Sequence, residues 1–254
     1  MKTIGIICKK EDRLIAATAE QVVRDLKELG YKVDLAKADF VITLGGDGTI
    51  LRAARLVAAR GTPILSIHLG GVGFLSEIEL GDLRSALEQI KKKRYRLDVR
   101  TMIEAHLGGG KKLIALNDMV IAKSGISRVI KYELEGIGSY TADGLIIATA
   151  SGSTAYNLAA GGPLLTPDSR SMIVSAICPH SLTNRSLVLD GPVNFELVRG
   201  EEVIVTADGQ QVAPVRIGQR IMVKKSELKT NLIRLKDYDF FGRVKKTFGF
   251  AEAG

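Results

Sequence analysis

The sequence predicts an α/β domain followed by a β-rich one, and three observations carry that expectation. Over the first 95 residues, short apolar runs alternate with segments whose apolar residues recur at helical spacing. A glycine-dense turn joins the apolar run 40–44 to the start of a helical pattern. From Tyr95 onward strand candidates follow one another with little helix between them, the pattern of a β-sandwich-like domain.

In chain order, residues 3–8 form a first buried strand. Leu14, Ile15, Val22, Val23, Leu26 and Leu29 then mark a helix that stops at Gly30, a natural residue just past a helix end. Residues 31–35 and 40–44 are strands, and the glycine turn opens a second helix that stops at Gly61, ahead of Pro63. Residues 63–67 are a strand leading into a second glycine stretch, and residues 82–93 form a helix with Leu83, Leu87 and Ile90 inward. Such alternation builds a parallel sheet with ligands at the carboxyl ends of its strands, so both glycine stretches belong on that edge. Strands are then expected at 97–99, 102–107, 113–121, 130–134, 145–148, 172–178, 186–189, 203–207, 212–217, 220–223 and 231–235. A tight turn is expected at Asp208-Gly209, and a helical break near 154–160. The domain expectation is residues 1–96, residues 97–236, and a segment 237–254 that packs Phe240, Phe241 and Phe248 back on the first domain.

With 254 residues and 46% hydrophobic content, the chain can bury two modest cores. The net charge of +8 suits an anionic ligand such as a nucleotide, although a lysine- and arginine-rich surface alone would give the same number. Nucleic acid is not the expected partner, because Trp is absent and no basic stripe, helix-turn-helix or zinc pattern occurs. Cys8 and Cys178 lie in apolar runs and read as buried thiols of a reduced compartment. No apolar run reaches membrane length and residues 1–7 enter a strand directly, so a cytoplasmic, membrane-free protein is expected.

The chemistry centres on Gly45-Gly46-Asp47-Gly48-Thr49-Ile50-Leu51. Glycines there allow a sharp turn with N–H groups outward, and the helix N-terminus adds partial positive charge, so a phosphate fits. A carboxylate inside that cradle would repel its ligand unless it holds Mg²⁺ or orients a hydroxyl for attack. The plainer alternative is that Asp47 or Thr49 only caps the helix. No Gly-x-x-x-x-Gly-Lys-Ser/Thr occurs, and residues 71–76 lack the third glycine of the dinucleotide fingerprint.

Gly-Gly-Asp-Gly-Thr is similar to the motif shared by NAD kinases, diacylglycerol kinases and sphingosine kinases, with phosphofructokinases more distant. Asn117-Asp118, Ala142-Asp143-Gly144, residues 151–157 (Ser-Gly-Ser-Thr-Ala-Tyr-Asn), Gly161-Gly162-Pro163 and Pro179-His180-Ser181-Leu182 then closely resemble the NAD kinase family, in the family's order, from residue 45 to about residue 211. Asn117 and Asp118 offer polar groups suited to a ribose diol, or else an Asx turn. Residues 151–156 offer hydroxyls, amides and one ring for an adenine, or else a helix cap with a packed tyrosine.

The resemblance implies a Rossmann-like first domain and transfer of a phosphoryl group from ATP or polyphosphate, with Mg²⁺, to the adenosine 2′-hydroxyl of NAD. It implies that Asp47 is the catalytic carboxylate and that Gly46 and Gly48 touch the dinucleotide. Asn117 and Asp118 contact the ribose and adenine side; Ser151, Thr154, Ala155 and Tyr156 form the adenine segment; Asp143 stands near the nicotinamide half; Phe74 walls the pocket. Arg52 and Arg128 are basic residues near phosphate or plain surface charge, and Gln210 lies beside the Asp208-Gly209 turn. His68 stands where the family commonly shows Asn, and Ala159 where bacterial members usually carry Ser, which bears on the substrate contacts. A homodimer or homotetramer is implied, with a neighbour completing the nicotinamide end around residues 175–177. The other functions weighed are a lipid or small-alcohol kinase, which would need a broad apolar pocket in place of these polar residues, and a non-catalytic NAD(P) sensor, which would consume no ATP.

Overall fold

A strand apolar along its whole length must be covered on both faces, and the first part of the chain supplies helices to do so. The computed structural model describes residues 2–71, 73–125 and 129–249. It divides into two units: residues 1–99 together with 230–254, and residues 100–229.

The first unit begins with β1 (Thr3–Cys8), α1 (Arg13–Glu28), β2 (Lys32–Val33), β3 (Phe40–Leu44), α2 (Asp47–Val57), β4 (Ile64–His68), β5 (Ile78–Glu79) and α3 (Leu83–Lys91). The strands pair in parallel in the order β2-β1-β3-β4-β5. Asp12 caps α1 by accepting from the amides of Leu14 and Ile15, and Gly30 follows the helix in the left-handed region. Ile4, Val22, Leu26, Ile42, Leu44, Leu65, Leu87 and Ile90 share one core. Strand β2 is shorter than the expected 31–35, because the Asp34 carboxylate accepts the Ala36 amide and turns the chain away.

The second unit is built of strands. β6 (Arg96–His106) enters it from the first unit, followed by β7 (Lys112–Ala115), β8 (Asp118–Lys123), β9 (Ile130–Leu134), β10 (Gly138–Ala142) and β11 (Gly144–Ala148). A 3-10 turn (Ser151–Thr154) and the short α4 (Tyr156–Ala159) precede β12 (Met172–Ile177), β13 (Leu187–Leu189), β14 (Val193–Arg199), β15 (Val203–Ala207), β16 (Gln211–Val215) and β17 (Arg220–Arg234). One sheet runs β13-β12-β11-β8-β15-β16, all antiparallel. Facing residues come from β9, β10, β14 and β17, where Tyr132 and Phe195 meet Ile121, Leu145 and Ile147 in the largest core. This is the α/β plus β-rich, sandwich-like architecture that the residue pattern predicts.

Two expected pairs of short strands are single long ones. Residues 97–99 and 102–107 join as β6, and 220–223 and 231–235 join as β17. The polar middle of β17 hides the continuity: Ser226 and Thr230 are buried, and Ser226 donates to Glu104. Conversely, the expected strand 113–121 breaks at residues 116–117, where the Asp208 carboxylate captures successive backbone amides. Strands β10 and β14 and the pair β5 lie outside the sequence expectation. Cys178 is exposed rather than buried, at a positive φ of 44° just past β12.

The chain then returns to the first unit, where Leu232 of β17 pairs in parallel with Ile64, and ends in α5 (Phe240–Phe248), capped by Asp239. Among the described residues no helix is long and apolar enough to cross a membrane. Arg234 is fully buried and pairs with Glu77 at 2.9 Å and Asp98 at 3.0 Å. Arg234→Leu strands both carboxylates, an expected cost of about 3–5 kcal/mol. Urea denaturation should show a clearly lower midpoint; a midpoint equal to the parent's would mean that the pairs contribute nothing.

Candidate active site

In the first unit, the carboxyl ends of β3 and β4 carry the two glycine stretches side by side. Gly45 sits at φ 140°, its amide donating to Ile67 O at 3.1 Å, and Gly46 caps α2 without a side-chain hydrogen bond. Asp47 is thereby the first residue of α2, at the positive pole of the helix dipole. It does not cap its own helix. Its Oδ2 accepts the Phe74 amide at 2.9 Å and its Oδ1 the Leu75 amide at 3.3 Å. The approach requires Gly73, since an ideal Cβ there would lie within 2.7 Å of Oδ1, Cγ and Oδ2 of Asp47.

Burial raises the proton affinity of Asp47 above that of an ordinary aspartate, against the lowering effect of the Leu75 and Phe74 amides and of Arg243 and Arg234. Gly46 and Gly48 are exposed beside it. A cavity of about 780 Å³ opens next to the loop, lined among others by Gly45, Gly46, His68, Gly70 and Gly71, a volume that accommodates a nucleotide-sized ligand. His68 is buried at that wall, its Nδ1 2.9 Å from Gly70 O. Phe74 is half-buried and stacks on Phe248 at 5.4 Å. Arg52 is exposed on α2 and adds positive charge near Cys8.

In the second unit, the break between β7 and β8 creates the Asn117-Asp118 corner. Asp208, at φ 52°, accepts the Leu116 amide at 3.1 Å, the Asn117 amide at 2.7 Å and the Asp118 amide at 3.3 Å. Thr149 closes the other side: its hydroxyl donates to Leu116 O at 2.6 Å and its amide to Asn117 O at 2.8 Å. Gly152 packs against the Asn117 backbone so tightly that a Cβ would collide with it. The corner and the 151–157 segment are therefore one assembly. Asn117 Oδ1 is buried without a hydrogen-bond partner among the described residues, an acceptor suited to a ligand donor.

Ser151 is buried and accepts from Arg100 Nη1 at 3.1 Å. Thr154 donates to Ser151 O, Ala155 separates the 3-10 turn from α4, and Tyr156 and Ala159 are exposed on α4. Asn157 is fully buried, donating to Ser153 O and Pro163 O and accepting from Ser175, so it holds this segment rather than presenting it. Gln210 is exposed in the hairpin that carries Asp208. Asp143 lies at the opposite end of the β8–β11 pair from Asp118, which is opposite Ala148, and is ion-paired with Lys123 at 3.1 Å. Arg128 lies outside the described residues.

Sequence reasoning missed Asp208 as organiser of the corner, Arg100 behind Ser151, and Gly73 as the site of close approach to Asp47. Asp208 was read only as turn composition; its left-handed backbone and its carboxylate's work are both tertiary facts. Arg100 left no readable sign, because it stands among the polar residues Arg96, Asp98 and Thr101 at the start of β6.

The ATP-NAD kinase N-terminal domain family matches residues 32–95, and the ATP-NAD kinase C-terminal domain family matches residues 116–235. The chain is 37% identical to the NAD kinase of Moorella thermoacetica, over 97% of this chain and 89% of that one. It is 42% identical to the NAD kinase of Caldanaerobacter subterraneus subsp. tengcongensis, over 83% and 78%. Among solved structures, an NAD kinase from Archaeoglobus fulgidus in complex with ATP aligns with TM-score 0.76 and 25% identity, covering 97% of each chain. Yeast NADH kinase complexed with NADH shares the fold, with TM-score 0.84 at 22% identity over 100% of this chain and 89% of that one.

Burial pushes the Asp118 carboxyl up to about 7, and the adjacent Asp208 charge adds to the effect. The folded state then holds this proton more tightly than the unfolded chain, whose aspartate titrates near about 3.9. The resulting stability is complete below that pH and is lost as pH rises through about 7. Asp118→Asn should flatten the fall of the thermal midpoint between pH 5 and pH 8. Parallel pH curves for variant and parent would exclude Asp118 as the titrating group.

Proposed function

This chain belongs to the NAD kinase family, and on that premise we propose that it transfers the terminal phosphoryl group of ATP to the 2′-hydroxyl of the adenosine ribose of NAD, giving NADP. The observation that carries the reading is the Asp47 carboxylate, half-buried at the start of α2 and aimed by two amides of the neighbouring glycine loop. Phosphoryl transfer has a loose transition state, so a protein contributes mainly alignment and charge compensation. Asp47 accepts the hydroxyl proton as the new O–P bond forms and the bond to the ADP oxygen breaks. Its raised proton affinity makes it a better base than an exposed aspartate. The glycine loop leaves room for the donor's phosphates beside Gly45 and Gly46, and the adjoining cavity has the volume of a nucleotide site.

Phosphate-bound Mg²⁺ keeps several waters and needs few protein ligands. Bound on the donor, it would neutralise charge on the transferring group.

In the second unit, the orphaned Asn117 Oδ1 and the Asp118 carboxyl meet ribose hydroxyls, and Ser151, Thr154, Ala155 and Tyr156 meet the adenine. Asp143, five residues away along the strand pair, serves the nicotinamide end. The same reading takes the enzyme as a cytoplasmic homodimer or homotetramer.

The test incubates pure protein with Mg²⁺, ATP and NAD and couples the product to an NADP-specific dehydrogenase. NADP formation is expected, and parallel reactions with polyphosphate identify the donor. NAD binding without NADP formation would indicate a sensor and overturn the reading. Asp47→Asn should lower kcat by about 10²–10⁴-fold with the thermal midpoint nearly unchanged. Gly73→Ala should lower it comparably, since the added methyl occupies the space of the carboxylate.

A further inference from the structure

The turn that presents two amides to Asp47 is held from its other side by the C-terminal segment. Arg243 Nη1 donates to Gly73 O at 2.6 Å, and the Tyr238 hydroxyl donates to Phe74 O at 2.9 Å. Arg234 Nη1 donates to Leu75 O at 3.1 Å. These carbonyls are not incidental neighbours. Gly73 O and the Phe74 N–H belong to one peptide unit, and Phe74 O and the Leu75 N–H to the next. A trans peptide is a rigid plane with O and H on opposite sides. Each of the two planes is therefore gripped at both ends, by Asp47 on its N–H and by the C-terminal segment on its C=O. A donor at the carbonyl also polarises the unit and strengthens its N–H as a donor.

The grip is itself braced. The guanidinium groups of Arg243 and Arg234 lie 4.9 Å and 4.5 Å from the Tyr238 ring centroid, and Phe248 of α5 stacks on Phe74. We propose that Arg243 and Tyr238 are positioning residues for the transfer reaction: through two peptide units they set the place and basicity of Asp47, which makes α5 part of the catalytic apparatus without touching substrate. The proposal rests on Asp47 being the catalytic carboxylate.

Kinetics of Arg243→Ala, Arg243→Lys and Tyr238→Phe, each alone and combined with Asp47→Asn, test it. Arg243→Ala is expected to lower kcat about tenfold or more while KM for NAD and ATP stays within about twofold, since small misplacements of a reacting group are costly. Tyr238→Phe should lower kcat by about threefold to tenfold, as for one lost hydrogen bond, and Arg243→Lys should restore part of the loss. The acidic limb of the kcat profile should move to higher pH in Arg243→Ala, because the charge and the strengthened amides that favour ionised Asp47 are both weakened. The other groups acting on Asp47 are the Phe74 and Leu75 amides and Arg234, all retained in these variants.

In the Asp47→Asn background, Arg243→Ala should cause no further loss. An equal fold-loss in both backgrounds would overturn the proposal, as would parental kcat in both Arg243→Ala and Tyr238→Phe, or a change confined to KM. Should Arg243→Ala fail to fold, Tyr238→Phe and Arg243→Lys carry the same comparison. A fully active Asp47→Asn enzyme would instead remove the reading of Asp47 on which this one stands.

Discussion

A carboxylate in van der Waals contact with a backbone that can only be glycine is the constraint on which the first unit's site depends. Asp47 could have turned back to cap α2, the ordinary fate of an aspartate at a helix start. It reaches across to the next βα loop instead, because Gly73 clears its path and two amides wait beyond it. The parallel pairing of β3 and β4 brings the two loops to one edge, and register does the rest. A side chain thus ends up oriented by backbone, which costs little conformational freedom at the moment of reaction.

The second unit uses the same device with different residues. Asp208 gathers three consecutive amides, breaks a strand and turns Asn117-Asp118 into a corner; Thr149 and Gly152 press the 151–157 segment against it. Placing a second carboxyl beside the first has an electrostatic consequence, visible in Asp118, whose proton is held up to about pH 7. The polar corner is therefore costly to maintain at neutral pH without a ligand. Such local cost is what ligand-binding positions commonly carry, and binding offsets it.

Both devices share an economy of charge. The carboxylates of Asp47 and Asp208 are each held by successive backbone amides. Amide donors stabilise an anion without adding a full positive charge that would compete for the phosphates. The two arginines that do act on the Asp47 loop, Arg234 and Arg243, work on carbonyls, so their charge reaches the carboxylate through peptide units and at a distance.

Local pattern alone determined the elements that have a strong period or a strong breaker: the strand, glycine turn and helix around Asp47, the capped α1 ending at Gly30, and the hairpin at Asp208-Gly209. The motifs at 45–51, 117–118 and 151–157 were visible as strings of neighbouring residues, and the roles expected of them came from their resemblance to the NAD kinase family. What tertiary structure decided were partnerships across long separations: Asp208 with residues 116–118, Arg100 with Ser151, and Arg243 and Tyr238 with Gly73 and Phe74. It also decided that β6 and β17 run unbroken through polar stretches, where the buried Ser226 hydroxyl donates to Glu104 with no apolar period to announce the pairing. Periodicity reports which face of an element is buried. It carries no information about which distant donor meets which acceptor, and in this chain those meetings shape both sites.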